Sequence, residues 1–104
     1  MGIEQNYARN EVITVGATQV LISGKKNRKV IYMRNTSVGG QVITIALDNI
    51  NAVTAGRGII LAPGEFTTES TTQGYKCWNG EIKAIASAAG ATLSVMEQAE
   101  EGFN

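Results

Sequence analysis

Few side chains in this sequence could carry out chemistry. Cys77 is the single cysteine of 104 residues, and there is no histidine. A thiol reacts as its thiolate, which needs a neighbouring base or a cationic setting. Cys77 lies between Lys76 and Trp78 with no base in the chain of the usual kind. It reads as a half-buried structural thiol, and a lone cysteine excludes an intrachain disulfide. Glu65, Glu69 and Glu81 stand near turns, but their placing does not make a pair for general acid–base work. Asp48-Asn49-Ile50-Asn51 resembles the opening of a calcium loop. Ile50 occupies a ligand slot there, and no glycine or distal glutamate follows in place. Ala55-Gly56-Arg57-Gly58 is glycine-rich but lacks the lysine and the strand-to-helix transition of a phosphate loop. The expectation is therefore no catalytic residues, no cofactor, no metal site and no enzymatic activity.

Two clusters could bind rather than react. Four of the nine basic residues fall between Lys25 and Lys29. Such a cluster can meet a polyanion, or it can be a solvated turn whose lysines blunt strand pairing. Nine acidic residues balance the nine basic ones, which favours the solvated turn and argues against nucleic acid as a partner. Tyr75 and Trp78 form the second cluster, beside the Thr-rich stretch Phe66–Thr72. Aromatic faces with hydroxyls nearby can stack on a glycan. The structural alternative makes Trp78 a plug at one end of the core.

The elements that would position these groups are all strands. Arg28 to Leu47 holds an unbroken apolar run, Val30 to Met33, then Asn35, Thr36, Ser37, Gly39 and Gly40, then Val42 to Leu47. β-branched residues bounded by turn formers in this way predict a hairpin or meander. Further strands are expected at 11–15, 18–23, 59–61, 66–72, 81–87 and 91–97. Ala62-Pro63-Gly64-Glu65 is the strongest turn, with Pro and Gly placed for a type II turn. Phe66–Thr72 is polar enough to be a sheet edge. No apolar series at helical spacing has caps to support it. Short strands at close spacing predict an all-β chain, a single antiparallel β-sandwich or small jelly roll of about eight strands.

A single domain of this length buries roughly two thirds of the surface its unfolded chain exposes. Its expected limits are 11–97, with an extended N-terminal arm at 1–10 and a C-terminal tail at 98–104. Ile3, Tyr7 and Phe103 are the apolar anchors of those ends and the candidate partner contacts. The start lacks a basic region followed by an apolar block, so a secretory signal is not expected. No apolar run approaches the roughly 20 residues of a membrane span. The sequence thus predicts a soluble product made in a cytosol, with no membrane partner. On that basis Asn35-Thr36-Ser37, formally a glycosylation acceptor, is discounted.

The order of segments resembles a known family. The basic turn leads into NRKVIYMRNTS at 27–37, then VITIAL at 42–47, then GIILAPGE at 58–65. IKAIAS at 82–87 and GATLSVME at 90–97 close the series. Over roughly residues 20 to 97 this is similar to small all-β virion proteins of tailed bacteriophages. These include head decoration or cement proteins and modules of tail and fibre proteins. The resemblance implies a non-enzymatic protein that binds the outside of a phage head and stabilises it. Its partner would be the major capsid protein or another virion protein, its location the virion. A homo-oligomer is expected, with a trimer as the candidate count. The alternative is a tail- or fibre-associated module, or a glycan-binding sandwich using Tyr75 and Trp78.

Overall fold

Alternation of small or apolar residues with polar ones sets the inner face of the strands. At 91–99, every second residue from Ala91 through Leu93, Val95 and Glu97 to Ala99 is buried. Ile82, Ala84 and Ala86 are buried in the same phase of their strand. The computed structural model describes residues 6–100, excluding the side chain of Asn6. Among them are eight strands and no helix: β1 (Asn6–Val15), β2 (Val20–Ser23), β3 (Arg28–Asn35), β4 (Ile43–Leu47), β5 (Ile59–Leu61), β6 (Phe66–Ser70), β7 (Ile82–Ala86) and β8 (Ala91–Glu100).

The strands form two four-stranded sheets, ordered β1-β8-β3-β6 and β2-β7-β4-β5. All the pairings are antiparallel. Strand order alternates between the sheets and interleaves the two ends of the chain. This is the wrapped order of a jelly roll, so the expected all-β sandwich with about eight strands is the fold. The core between the sheets is built from Val15, Ile31, Met33, Ile43, Ile45 and Leu93, all fully buried. Ala84, Ala86 and Ala91 join them, and Trp78 packs against this core. Small residues there let the two sheets approach closely. Ala88 and Ala89 lie exposed in the β7–β8 turn and have no such role.

Three expectations change. Val30–Met33 and Val42–Leu47 do not form a hairpin. β3 pairs with β8 and β6, whereas β4 pairs with β7 and β5 in the other sheet. The buried Asn35 side chain organises that crossing. Its Nδ2 donates to the carbonyls of Gln41 (2.9 Å) and Leu61 (2.8 Å), and its Oδ1 accepts from the Ser37 amide (3.0 Å). A polar connector whose corner is tied internally turns away from its own strand. The second change concerns the ends. β1 starts at Asn6 and pairs with β8 out to Glu100, so 6–10 and 98–100 belong to the sandwich. The third is Cys77, which is buried rather than half-buried.

The two outer faces of the sandwich differ. Residues 48–58, between β4 and β5, fold over the outside of the second sheet. The Val53 amide donates to Gln19 Oε1 (2.9 Å) and the Gly56 amide to Thr44 Oγ1 (3.0 Å). Thr44 and Ala46 point outward from β4, yet both are buried by this loop. Nothing in the described chain covers the outside of the first sheet in this way.

Gly58 brings the loop back against β4. It sits at φ 141°, and a Cβ there would collide with the carbonyl oxygen of Ile45. Gly56, at φ 84°, has open space around its Cα. Gly56→Ala should therefore cost about 1–2 kcal/mol from the left-handed backbone alone. Gly58→Ala should cost more, about 3 kcal/mol, because steric displacement of β4 adds to it. Urea unfolding of both variants measures the difference, and equal losses would show that the close approach to Ile45 carries no energy.

Candidate functional site

The densest polar constellation is one that none of the sequence motifs marked. Glu97 occupies an inward position of β8, in phase with Leu93 and Val95, and is fully buried. Arg28, at the start of β3, is also fully buried. This corrects the reading of Lys25–Lys29 as a solvated turn: Lys25 and Lys29 are exposed, but Arg28 turns into the interior. A register shift between Arg28 and Val30 in the β3–β8 ladder re-aims the strand there.

Every N–H of the Arg28 guanidinium has a partner. Nε donates to Glu97 Oε2 (2.7 Å). Nη1 donates to the carbonyls of Trp78 (2.5 Å) and Gly80 (3.2 Å). Nη2 donates to Ser23 Oγ (2.7 Å) and the Gly24 carbonyl (2.8 Å). The Ser23 hydroxyl in turn donates to Glu97 Oε2 (2.5 Å). The other carboxylate oxygen accepts from Arg9 Nε (2.7 Å) and Lys26 Nζ (3.4 Å). Glu97 therefore receives four donors on two oxygens, which is its full acceptor capacity. Arg9 also reaches the Ile22 carbonyl (2.6 Å) and the Glu11 carboxylate. Lys26 lies over the Tyr7 ring, 4.7 Å from its centroid.

These contacts join β1, β3 and β8 of one sheet to β2 and the segment leading into β7 of the other. They act as a clip across one end of the sandwich. Burial by itself would raise the Glu97 pKa. Hydrogen bonds from Ser23, Arg28 and Arg9 outweigh it and hold the group at about 2, below its ordinary 4.5. With all acceptor positions filled, this carboxylate is a structural anion rather than a general base.

The residues singled out from sequence are dispersed. Ile3 and Phe103 lie outside the described residues. Tyr7 is on β1, paired across from Ala99, with its ring beneath Lys26. Tyr75 and Trp78 are brought together only through Glu69. The Tyr75 hydroxyl (2.7 Å) and the Trp78 amide (3.2 Å) both donate to Glu69 Oε1. Trp78 packs its ring on the core and donates Nε1–H to the Glu81 carbonyl (2.9 Å), as the plug reading expects. Tyr75 is half exposed, so the two rings do not make one stacking platform.

Burial first, then the nearby Glu69 charge, raise the Cys77 pKa, which keeps the thiol protonated. Asp48 Oδ1 accepts from the amides of Ile50 (2.7 Å) and Asn51 (2.9 Å). Those bonds lower its pKa and commit it to the turn. Among the described residues no group of His, Cys, Asp and Glu is arranged to hold a metal. The hollow beneath the β4–β5 loop is lined by Ala46, Asp48, Asn51, Val53 and Arg57 among others. Its only acid is this engaged Asp48.

No family model matches the chain, and no curated protein sequence matches it. A solved structure does share its fold. That protein comes from Bacillus endospore appendages, described as a family of disulfide-linked pili. The TM-score is 0.52 at 18% identity, over 93% of this chain and 88% of the other. At that identity the likeness establishes a common fold, and the neighbour is a component of an assembled fibre.

Removing one partner of the clip strands the other. Glu97→Ala should destabilise the protein by about 3–5 kcal/mol, leaving Arg28 charged and buried. Glu97→Leu combined with Arg28→Met should recover much of that loss, because apolar pairs of similar volume can replace a buried ion pair. Denaturant titration of the single and double variants measures both. The pH dependence has a definite sign. The unfolded chain takes up the Glu97 proton near 4.5 and the folded one near 2. The contribution is thus complete above about 4.5 and lost as pH falls toward 2. Thermal unfolding followed from pH 6 to pH 2 should show this loss, and Glu97→Gln should flatten it.

Proposed function

We propose that the chain is a non-enzymatic structural subunit that works by joining a larger assembly. One observation carries this reading: apolar side chains stand exposed on both outer faces of the sandwich. Val12 on β1 and Phe66 on β6 are more than half exposed on the outside of the first sheet. Leu21 on β2 and Ile60 on β5 are more than half exposed on the outside of the second. Water contact with such residues is unfavourable, and their burial between subunits supplies association energy. The fold shared with an appendage protein supports the same reading.

The mode of joining differs from a disulfide-linked polymer. Linking subunits in series through disulfides takes at least two cysteines each, and this sequence has Cys77 alone, buried. Association here rests on surface contact. The narrower proposal, supported by the segment order from 27 to 97, is a decoration protein on the outside of a phage head. Its partner is then the major capsid protein and its location the virion.

The test mixes purified protein with undecorated phage heads, and spins it alone in parallel. Stoichiometric pelleting with heads and a raised head melting temperature are the expected results. Self-association without head binding would keep the structural-subunit reading and remove the decoration role. A monomer at millimolar concentration that also ignores heads would overturn both.

A further inference from the structure

The open face of the first sheet has the composition of an interface core. Its outward residues fall in rows fixed by the ladder registers. One row runs Val12, Ser94, Arg34, Phe66. The next runs Asn10, Met96, Tyr32, Thr68. A third runs Ala8, Gln98, Val30, Ser70. Across these three rows Arg34 is the only charged residue, in a chain with 18 Lys, Arg, Asp and Glu in total (nine basic and nine acidic). Tyr, Phe, Met and Arg are enriched at protein interfaces, and Lys, Glu and Asp are depleted at their centres. Tyr32 and Phe66 are already stacked, with ring centroids 5.2 Å apart, so little freedom is lost when a partner covers them.

We infer that this face, the outside of β1-β8-β3-β6, packs against the same face of a second copy of the chain. Register favours a twin as occupant. A two-fold axis between the copies and parallel to the strands reverses strand order across the interface. Val12 then faces the partner's Phe66, and Met96 faces the partner's Tyr32. Arg34 faces the partner's Ser94, and Asn10 faces the partner's Thr68. In these two rows apolar meets apolar and polar meets polar, and each Arg34 faces a serine rather than the other arginine. Sheets packed face to face sit about 10 Å apart, which such side chains span. A face of four strands by about seven residues measures on the order of 19 by 24 Å. Two such faces bury on the order of 1,000 Å² in total, the small end of specific interfaces. The outside of the second sheet is not equivalent, because the β4–β5 loop already lies over the middle of it and buries Thr44 and Ala46.

The inference deepens the structural-subunit reading and rests on it. Sedimentation of the full chain over rising concentration, with melting temperature as a folding control, tests it. The wild type should dimerise. Phe66→Lys should weaken the dimer by about tenfold or more, as loss of an aromatic anchor does. Val38→Lys, at a fully exposed position of the β3–β4 connector, should leave it unchanged. Mixing Asn10→Cys with Thr68→Cys should give a cross-linked heterodimer with a short bismaleimide, which spans the gap of about 10 Å between packed sheets that a direct disulfide cannot, and neither variant alone should cross-link as readily. A dimer indifferent to Phe66→Lys, or no cross-link between 10 and 68, overturns the face and leaves the subunit reading standing. A chain that stays monomeric yet joins phage heads also overturns the twin while sparing that reading.

Discussion

A carboxylate has been placed where the alternation of β8 demands a core residue, and the sandwich is closed around it. Glu97 costs free energy to bury, and only a complete set of donors offsets that cost. Those donors come from β1, β2, the β2–β3 turn and β3. The interaction therefore specifies more than it stabilises. A one-residue slip of β8 would send Glu97 to solvent and pull Gln98 inward, stranding Arg28 without its anion. Hydrophobic packing alone tolerates such slips better, since Ala, Leu and Val interchange with small penalties. The clip picks one register out of several that the apolar pattern permits.

That choice has a consequence at the surface. Once β8 is fixed, the rows across the outer face of the first sheet are fixed as well, and Val12, Met96, Tyr32 and Phe66 are held as one patch. Interior charge is consumed internally, while the open face carries a single arginine in its three central rows. The β4–β5 loop covers the middle of the other face, over Thr44 and Ala46. Register and surface composition thus belong together: the fixed rows present a sheet face with one charge, Arg34.

Much of this was legible in the sequence. Strand positions follow from alternation and from turns such as Ala62-Pro63-Gly64-Glu65. The inward phase of Ile82, Ala84 and Ala86 is plain, and so is the edge character of Phe66–Ser70. Pairing was not legible. β1 meets β8 across nearly the whole chain, and local pattern gives a strand's phase without naming its partner. For that reason Val30–Met33 and Val42–Leu47 read as a hairpin although a buried Asn35 sends them to different sheets. Arg28 and Glu97 were hidden for a related reason. Each looks like a surface charge until the other is placed beside it, although Glu97 does stand in phase with Leu93 and Val95. Tyr75 and Trp78 are close in sequence but differ in burial, one half exposed and the other packed on the core.

The central claim is that the sandwich associates through one sheet face, charged only at Arg34 in its central rows, without altering its interior. Amide chemical shifts of the isotopically labelled protein, followed by NMR from micromolar to millimolar concentration, test it most directly. The account predicts concentration-dependent shifts centred on Val12, Met96, Tyr32 and Phe66, with Glu97, Arg28 and the core strands of the second sheet unmoved. Shifts centred on the β4–β5 loop, or spread through the Glu97 clip, would contradict it.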